Sequence, residues 1–93
     1  MFYVYILKSI QHKRLYIGFT PDLRRRLTEH NAGNVRSTKA YTPYRLVYYE
    51  AYTSEDDART REARLKDFGR AYGQLKLRLE GSLRGREKVR EKS

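Results

Sequence analysis

Two short runs of β-branched and aromatic residues open this chain, FYVYIL at 2–7 and LYIG at 15–18, separated by the mostly polar stretch KSIQHKR. Such runs read as strands, and the polar stretch fits a hairpin connection, so an antiparallel hairpin is predicted. A two-stranded ribbon is marginal in water by itself, and the rest of the chain has to complete the sheet and cover it. Residues 44–52 (YRLVYYEAY) supply a third strand. Thr20-Pro21-Asp22 predicts a helix start, with Thr20 able to cap and Pro21 suited to the first helical position. That helix runs to Glu29 or His30 and is stopped by Asn31-Ala32-Gly33-Asn34. Ser54-Glu55-Asp56-Asp57 predicts a second helix, with a Ser-x-x-Asp capping box and three carboxylates at the positive end of the helix dipole. It runs to Phe68 with Gly69 as its stop. Residues 71–80 fit a helix through Tyr72, Leu75 and Leu79, or a strand through Leu75, Leu77 and Leu79; a helix ended by Gly81 is favoured.

At 93 residues the chain makes one domain, assigned to residues 1–81, with a mobile basic tail at 82–93. There are no cysteines, which excludes disulfides and cysteine-based zinc sites, and His12 and His30 cannot hold zinc alone. No run approaches a membrane span and the N-terminus does not resemble a signal peptide, so a cytoplasmic location without membrane contact is expected. The formal net charge of +10 points to a polyanionic partner, nucleic acid being the commonest. Nine tyrosines without a tryptophan add hydroxyls fit for stacking, hydrogen bonding or chemistry.

Several polar residues fall on apolar faces. On the first helix Leu23 and Leu27 mark the buried stripe. At about 100° per residue Arg26 and His30 lie within about 60° of Leu23, whereas Arg24 and Arg25 point to solvent. Arg26 and His30 are i,i+4 neighbours and must face a groove, a partner charge, or water reached past Leu27. On the second helix Ala58 and Leu65 mark the buried face, with Phe68 at its flank. Glu62 lies about 40° from Ala58 and reads as the only inward-facing carboxylate. A carboxylate there is costly unless it binds a metal or is paired, for example with Arg26. Tyr5 and Tyr16 stand in neighbouring strands, close enough to meet across the hairpin. Gly18 closes the second strand, where a glycine either takes an unusual backbone shape or admits a ligand.

These residues, Val4-Tyr5-Ile6, Tyr16-Ile17-Gly18, Leu23-x-x-Arg26-x-x-x-His30 and Arg61-Glu62-x-x-Leu65-Lys66, resemble the GIY-YIG nuclease domain. The likeness is greatest to its small single-domain bacterial branch, related to the nuclease module of the excinuclease C subunit. It spans residues 2–80 and includes Gly33, Ser37-Thr38-Lys39, Pro43-x-x-Leu46-Val47-Tyr48 and Glu50. The resemblance implies an α/β (α+β) sandwich, a three-stranded antiparallel sheet flanked by helices, and a one-metal phosphodiesterase linked to DNA repair. It assigns Tyr5, Tyr16, Arg26, His30 and Glu62 to catalysis, with Arg26 on the scissile phosphate and Glu62 on Mg²⁺, or Mn²⁺ in its place. Gly18, Arg24, Arg25, Arg36, Thr38 and Lys39 become the expected nucleic-acid contacts. Tyr3 and Val4 stand where the motif has Gly and Ile. Phe19 replaces a lysine found in some relatives, and residues 70–80 hold Gln74 but no active-site Asn.

The residue types suit the chemistry. Phosphodiester hydrolysis needs an activated water, neutralised phosphate charge and help for the leaving oxygen. One carboxylate can hold Mg²⁺, an arginine can grip a nonbridging oxygen, and Tyr5, Tyr16 or His30 can move the proton. An Mg²⁺-dependent DNA endonuclease is therefore expected. The alternatives are a catalytically weak or inactive nucleic-acid-binding domain of the same fold and a structural, ribosome-associated basic protein. An inward glutamate favours the enzyme, since a binder has no need of it. With so little chain outside the core, specificity falls to DNA shape or to a protein partner.

Overall fold

The computed structural model describes residues 1–84, and its organisation follows from how the hairpin is covered. Strand β1 (Phe2–Ser9) lies at the centre of a three-stranded antiparallel sheet, between β2 (Leu15–Thr20) and β3 (Tyr44–Tyr52). Helix α1 (Leu23–Asn31) follows β2. After β3 come α2 (Glu55–Lys66), α3 (Arg70–Arg78) and the short α4 (Glu80–Arg84). The predicted α+β architecture is the one observed.

Alternation along the strands gives the sheet two different faces. One carries Val4, Ile6 and Ile17, which pack with Ala58 and Leu65 of α2, Leu75 and Leu79 of α3, and the partly buried Leu83 of α4. The other carries Tyr5 and Leu7, packed with Tyr44, Tyr16, Leu46 and the α1 leucines Leu23 and Leu27. The first face is aliphatic and the second aromatic. A register shift in the β1–β3 ladder between Ile6 and Leu7 adds one residue to β3 between Leu46 and Tyr48.

The helix termini follow local chemistry, with displacements. Asp22, not Thr20, caps α1 by accepting from the Arg25 amide at 3.2 Å; Thr20 remains in β2 and its hydroxyl accepts from the Asp22 amide at 3.1 Å. Ser54 caps α2 as predicted, accepting from the Asp57 amide at 3.2 Å. Helix α2 ends at Lys66, and the residue that leaves it in the left-handed conformation is Phe68 (φ 57°), not Gly69. Phe68 is also exposed, not at the flank of the buried face. Gly81 does not stop a helix but lies inside α4. The first part of the expected tail is thus structured. Arg45 donates to the Ser82 and Leu83 carbonyls at 3.0 and 3.1 Å, which ties α4 to β3. The rest of that tail, residues 85–93, lies outside the described residues.

Candidate active site

The aromatic face of the sheet gathers at Gly18. Tyr5 and Gly18 are directly paired across the hairpin. A Cβ built on Gly18 would overlap Tyr5 Cζ and Oη and stand 2.8 Å from Tyr16 Cε2. The space a side chain would need is therefore filled by the Tyr5 ring, which lies over β2, one of the two edge strands of the sheet. Gly18 is buried and makes room for a tyrosine; its expected role as a nucleic-acid contact is corrected accordingly.

Across Gly18, Tyr5 reaches α1. Its hydroxyl stands 2.9 Å from His30 Nε2, and both residues are fully buried. His30 Nδ1 lies 2.8 Å from Thr38 Oγ1, and Thr38 Oγ1 lies 3.4 Å from the Val35 carbonyl. A carbonyl only accepts, so the Thr38 hydroxyl donates to Val35 and Nδ1–H donates to Thr38. His30 Nε2 then carries the lone pair that accepts the Tyr5 proton. The donors run Tyr5, His30, Thr38 and end on the Val35 carbonyl, which accepts, and no buried side-chain polar atom among the described residues lacks a partner. Burial, helped by the neighbouring Arg26 charge, lowers the His30 pKa to about 4, which keeps the ring neutral. Burial also raises the Tyr5 pKa to about 12; Arg26 opposes the rise, while Tyr16 and Glu62 add to it. Thr38 is thus corrected from a nucleic-acid contact to a buried support of His30.

Tyr16 completes the aromatic group. Its ring centroid lies 4.9 Å from that of His30 and 6.2 Å from that of Tyr5, and it remains half-buried. Arg26 donates to Glu29 Oε1 at 3.0 Å, and Arg25 shares the same carboxylate through Oε2 at 3.3 Å. Lys66 lies with its Nζ 6.0 Å from the Tyr16 ring centre and 2.9 Å from Glu62 Oε2. Lys66, not Arg26, is therefore the partner of Glu62. Tyr5, Tyr16, Arg26 and His30 come together from β1, β2 and α1, and the Glu62 carboxylate of α2 is near enough for its charge to raise the Tyr5 pKa. Arg24, Arg25, Arg36 and Lys39 are exposed. Gln74 sits on α3, sharing a recess with Arg64, Asp67 and Arg70.

Glu62 is mostly buried, and among the described residues no group of three or more His, Cys, Asp or Glu side chains gathers to cage an ion. The oxygens of the Glu62 carboxylate are hard donors of the kind Mg²⁺ takes beside waters and phosphate oxygens.

Sequence reasoning missed a second inward carboxylate. Glu50 accepts from Tyr48 and Tyr52 hydroxyls at 2.5 Å each and from Arg61 at 2.9 to 3.2 Å. Glu62 is therefore not the only one. The signal was present in Tyr48-x-Glu50-x-Tyr52, whose period of two puts all three side chains on one face. This network fastens β3 to α2 one residue before Glu62. A groove beside the site is lined by Phe19, Arg25, Arg26, Glu29 and Arg59, with the Arg59 guanidinium 4.1 Å above the Phe19 ring.

Residues 1–75 match the GIY-YIG catalytic domain. A UPF0213 protein of Streptococcus pyogenes serotype M3 is 42% identical over 65 residues, covering 69% of this chain and 70% of its own. A UPF0213 protein of Haloquadratum walsbyi is 39% identical over 69 residues, covering 73% and 76%. Among solved structures, the solution NMR structure of a UPF0213 protein from Bacillus halodurans is similar at 32% identity and a TM-score of 0.52, covering 87% of each chain. The sheet order, the Tyr5–Gly18 pairing and these likenesses agree: this chain belongs to the GIY-YIG nuclease family, among the small single-domain UPF0213 proteins.

Proposed function

We propose that the chain is a metal-dependent endonuclease that hydrolyses phosphodiester bonds in DNA. The observation that carries this reading is the meeting of Tyr5, Tyr16, His30 and Arg26 with the Glu62 carboxylate around an edge strand of a strongly basic domain. Glu62 would hold Mg²⁺, which when bound supplies Lewis-acid stabilisation of the phosphate and the leaving oxygen. Arg26, steadied by Glu29, grips a nonbridging phosphate oxygen. Tyr16, the half-buried phenol, orients the attacking water, whose oxygen bonds to phosphorus and gives up its proton to bulk water as the bond to the leaving oxygen breaks and that oxygen takes a proton from bulk water. Tyr5 is buried and donates to a neutral His30, so it fixes the position of Tyr16 and the sheet edge beneath the phosphate. Arg24, Arg25, Arg36 and Lys39 supply sequence-blind phosphate contacts.

The test is a panel of labelled DNA substrates, duplex, nicked, branched and single-stranded, incubated with Mg²⁺ or Mn²⁺ and with EDTA controls. Glu62→Gln should abolish metal-dependent cleavage, a loss of at least ~10³-fold. DNA affinity should stay level or rise, because one negative charge leaves the surface. The Glu62–Lys66 bridge is an i,i+4 helix pair, worth only about 0.3–0.5 kcal/mol, so melting should hardly move. A Glu62→Gln protein that still cleaves would remove the glutamate from this role.

A further inference from the structure

Phe68 is large and apolar, yet it is 64% exposed and holds a left-handed backbone at φ 57°. Only glycine, and to a lesser degree asparagine, takes that conformation cheaply. The neighbouring Gly69, at φ −96° and ψ −137°, is the N-cap of α3, and the positive φ of the loop falls on the bulky Phe68. Burial does not compensate for the cost. The conformation presents the ring on the surface, edge to face with Tyr72 at a centroid separation of 4.9 Å and an interplanar angle of 89°. A cation stands at the pair, Lys76 Nζ lying 5.4 Å from the Tyr72 ring centre, and Lys66 and Arg70 lie two residues to either side of Phe68, with Asp67 between Lys66 and Phe68. An exposed Phe68 ring, backed by the half-buried Tyr72 and with cations nearby, matches the chemistry of a nucleobase on a phosphate chain. A base inside a duplex already has both faces stacked and cannot use such rings. Phe68 also lies just past the C-terminal end of α2, two residues beyond Lys66, which bridges to Glu62.

We infer that Phe68 and Tyr72 form a stacking platform for an unpaired nucleobase, so that the nucleic acid taken by this chain carries single-stranded nucleotides beside the site. The inference rests on the nucleic-acid reading above and narrows its substrate class. It is tested on the full chain in EDTA, with a short single-stranded oligodeoxynucleotide carrying 2-aminopurine and with the same sequence as a blunt duplex. Wild-type protein should quench the 2-aminopurine on binding the single strand. Phe68→Gly should weaken single-strand binding by about 5- to 150-fold, the range for losing one base–aromatic stack, and leave duplex affinity within about twofold. Its melting temperature should hold or rise, since glycine is at ease at this φ. Phe68→Asn should behave likewise, and Phe68→Trp should retain affinity and quenching. Unchanged single-strand affinity in Phe68→Gly, or equal losses on single strand and duplex, would overturn the platform while leaving the nuclease reading intact. A lower melting temperature in both Phe68→Gly and Phe68→Asn would make Phe68 a structural residue and overturn it too. Wild-type protein that binds neither oligonucleotide would overturn both readings.

Discussion

The Tyr5 hydroxyl and His30 Nε2 meet at 2.9 Å in a part of the protein that water does not reach, and this bond joins the central strand to α1. Because His30 is buried beside Arg26, its pKa in the folded protein is about 4, below the ~6.5 of an unfolded imidazole. Between those values the unfolded chain takes up a proton that the folded protein refuses. Stability therefore rises with pH across this window, and is lost as pH falls from about 6.5 towards 4. Each pH unit crossed removes up to about 1.4 kcal/mol. Denaturant unfolding followed between pH 5 and 6.5 should show this slope, above the range where Glu29 and Glu50, both held below the usual carboxylate value, begin to protonate. His30→Gln should flatten it; an unchanged slope in that variant would mean that His30 is not the group responsible.

Gly18→Ala addresses the same junction from the sheet. The added methyl overlaps the Tyr5 ring end and crowds Tyr16, and Tyr5 is fully buried with nowhere to retreat. Overpacking of this kind costs about 1–3 kcal/mol. The expected result is a lower melting temperature together with loss of cleavage on any substrate the wild type cuts. Unaltered melting would show that the strand yields freely at Gly18.

The network around Glu50 makes a different forecast. Arg61→Met removes the charge partner of a mostly buried carboxylate while Tyr48 and Tyr52 still donate to it. Leaving that charge behind should cost on the order of 2–3 kcal/mol, reduced from the fully buried case because both side chains keep some exposure. Adding Glu50→Gln should recover part of the loss. Urea unfolding of the single and double variants measures this; a double variant that is no more stable than Arg61→Met would argue against an unpaired Glu50 as the cause.

What could be read from the residues alone was whatever local chemistry determines. Aromatic and β-branched runs marked β1, β2 and β3, and Ser54 marked the start of α2, because those preferences act within a few residues. The inward positions of Arg26, His30 and Glu62 followed from helical spacing for the same reason. Thr38 could not be placed this way. A threonine in a basic loop carries no sign that the chain will fold it under His30, and the bond that buries it exists only once α1 has docked. Gly18 was legible as a special position but not as the site of a crossing ring, since nothing local says that Tyr5 leans over β2. Phe68 was hidden by its neighbour, because a glycine after a helix is the expected stop and draws the reading one residue too far.

The Glu29 carboxylate holds together the exposed Arg25 and the half-buried Arg26 of α1. These two guanidiniums line the groove beside the site together with Phe19 and Arg59. On a surface that meets phosphate, Glu29 is a competitor: it occupies both arginines and repels the backbone. It also fixes where the Arg26 guanidinium stands relative to Tyr5 and Tyr16. Glu29→Gln should therefore separate affinity from turnover. With one negative charge gone and Arg25 released, DNA should bind several-fold more tightly. The dependence of log K on log salt should steepen by about one, as each further phosphate neutralised on a duplex adds about 0.9 to the slope. Cleavage should nonetheless slow, because Arg26 loses the partner that orients it. Arg25→Ala gives the complementary case, with weaker binding and little change in the rate at saturating DNA. Arg26→Ala should lower both, since it touches the phosphate in the ground state and in the transition state. Salt titrations and single-turnover cleavage on these variants decide the matter. Weaker binding by Glu29→Gln would mean that the carboxylate builds the phosphate surface instead of masking it, and faster cleavage would mean that Arg26 works better unanchored.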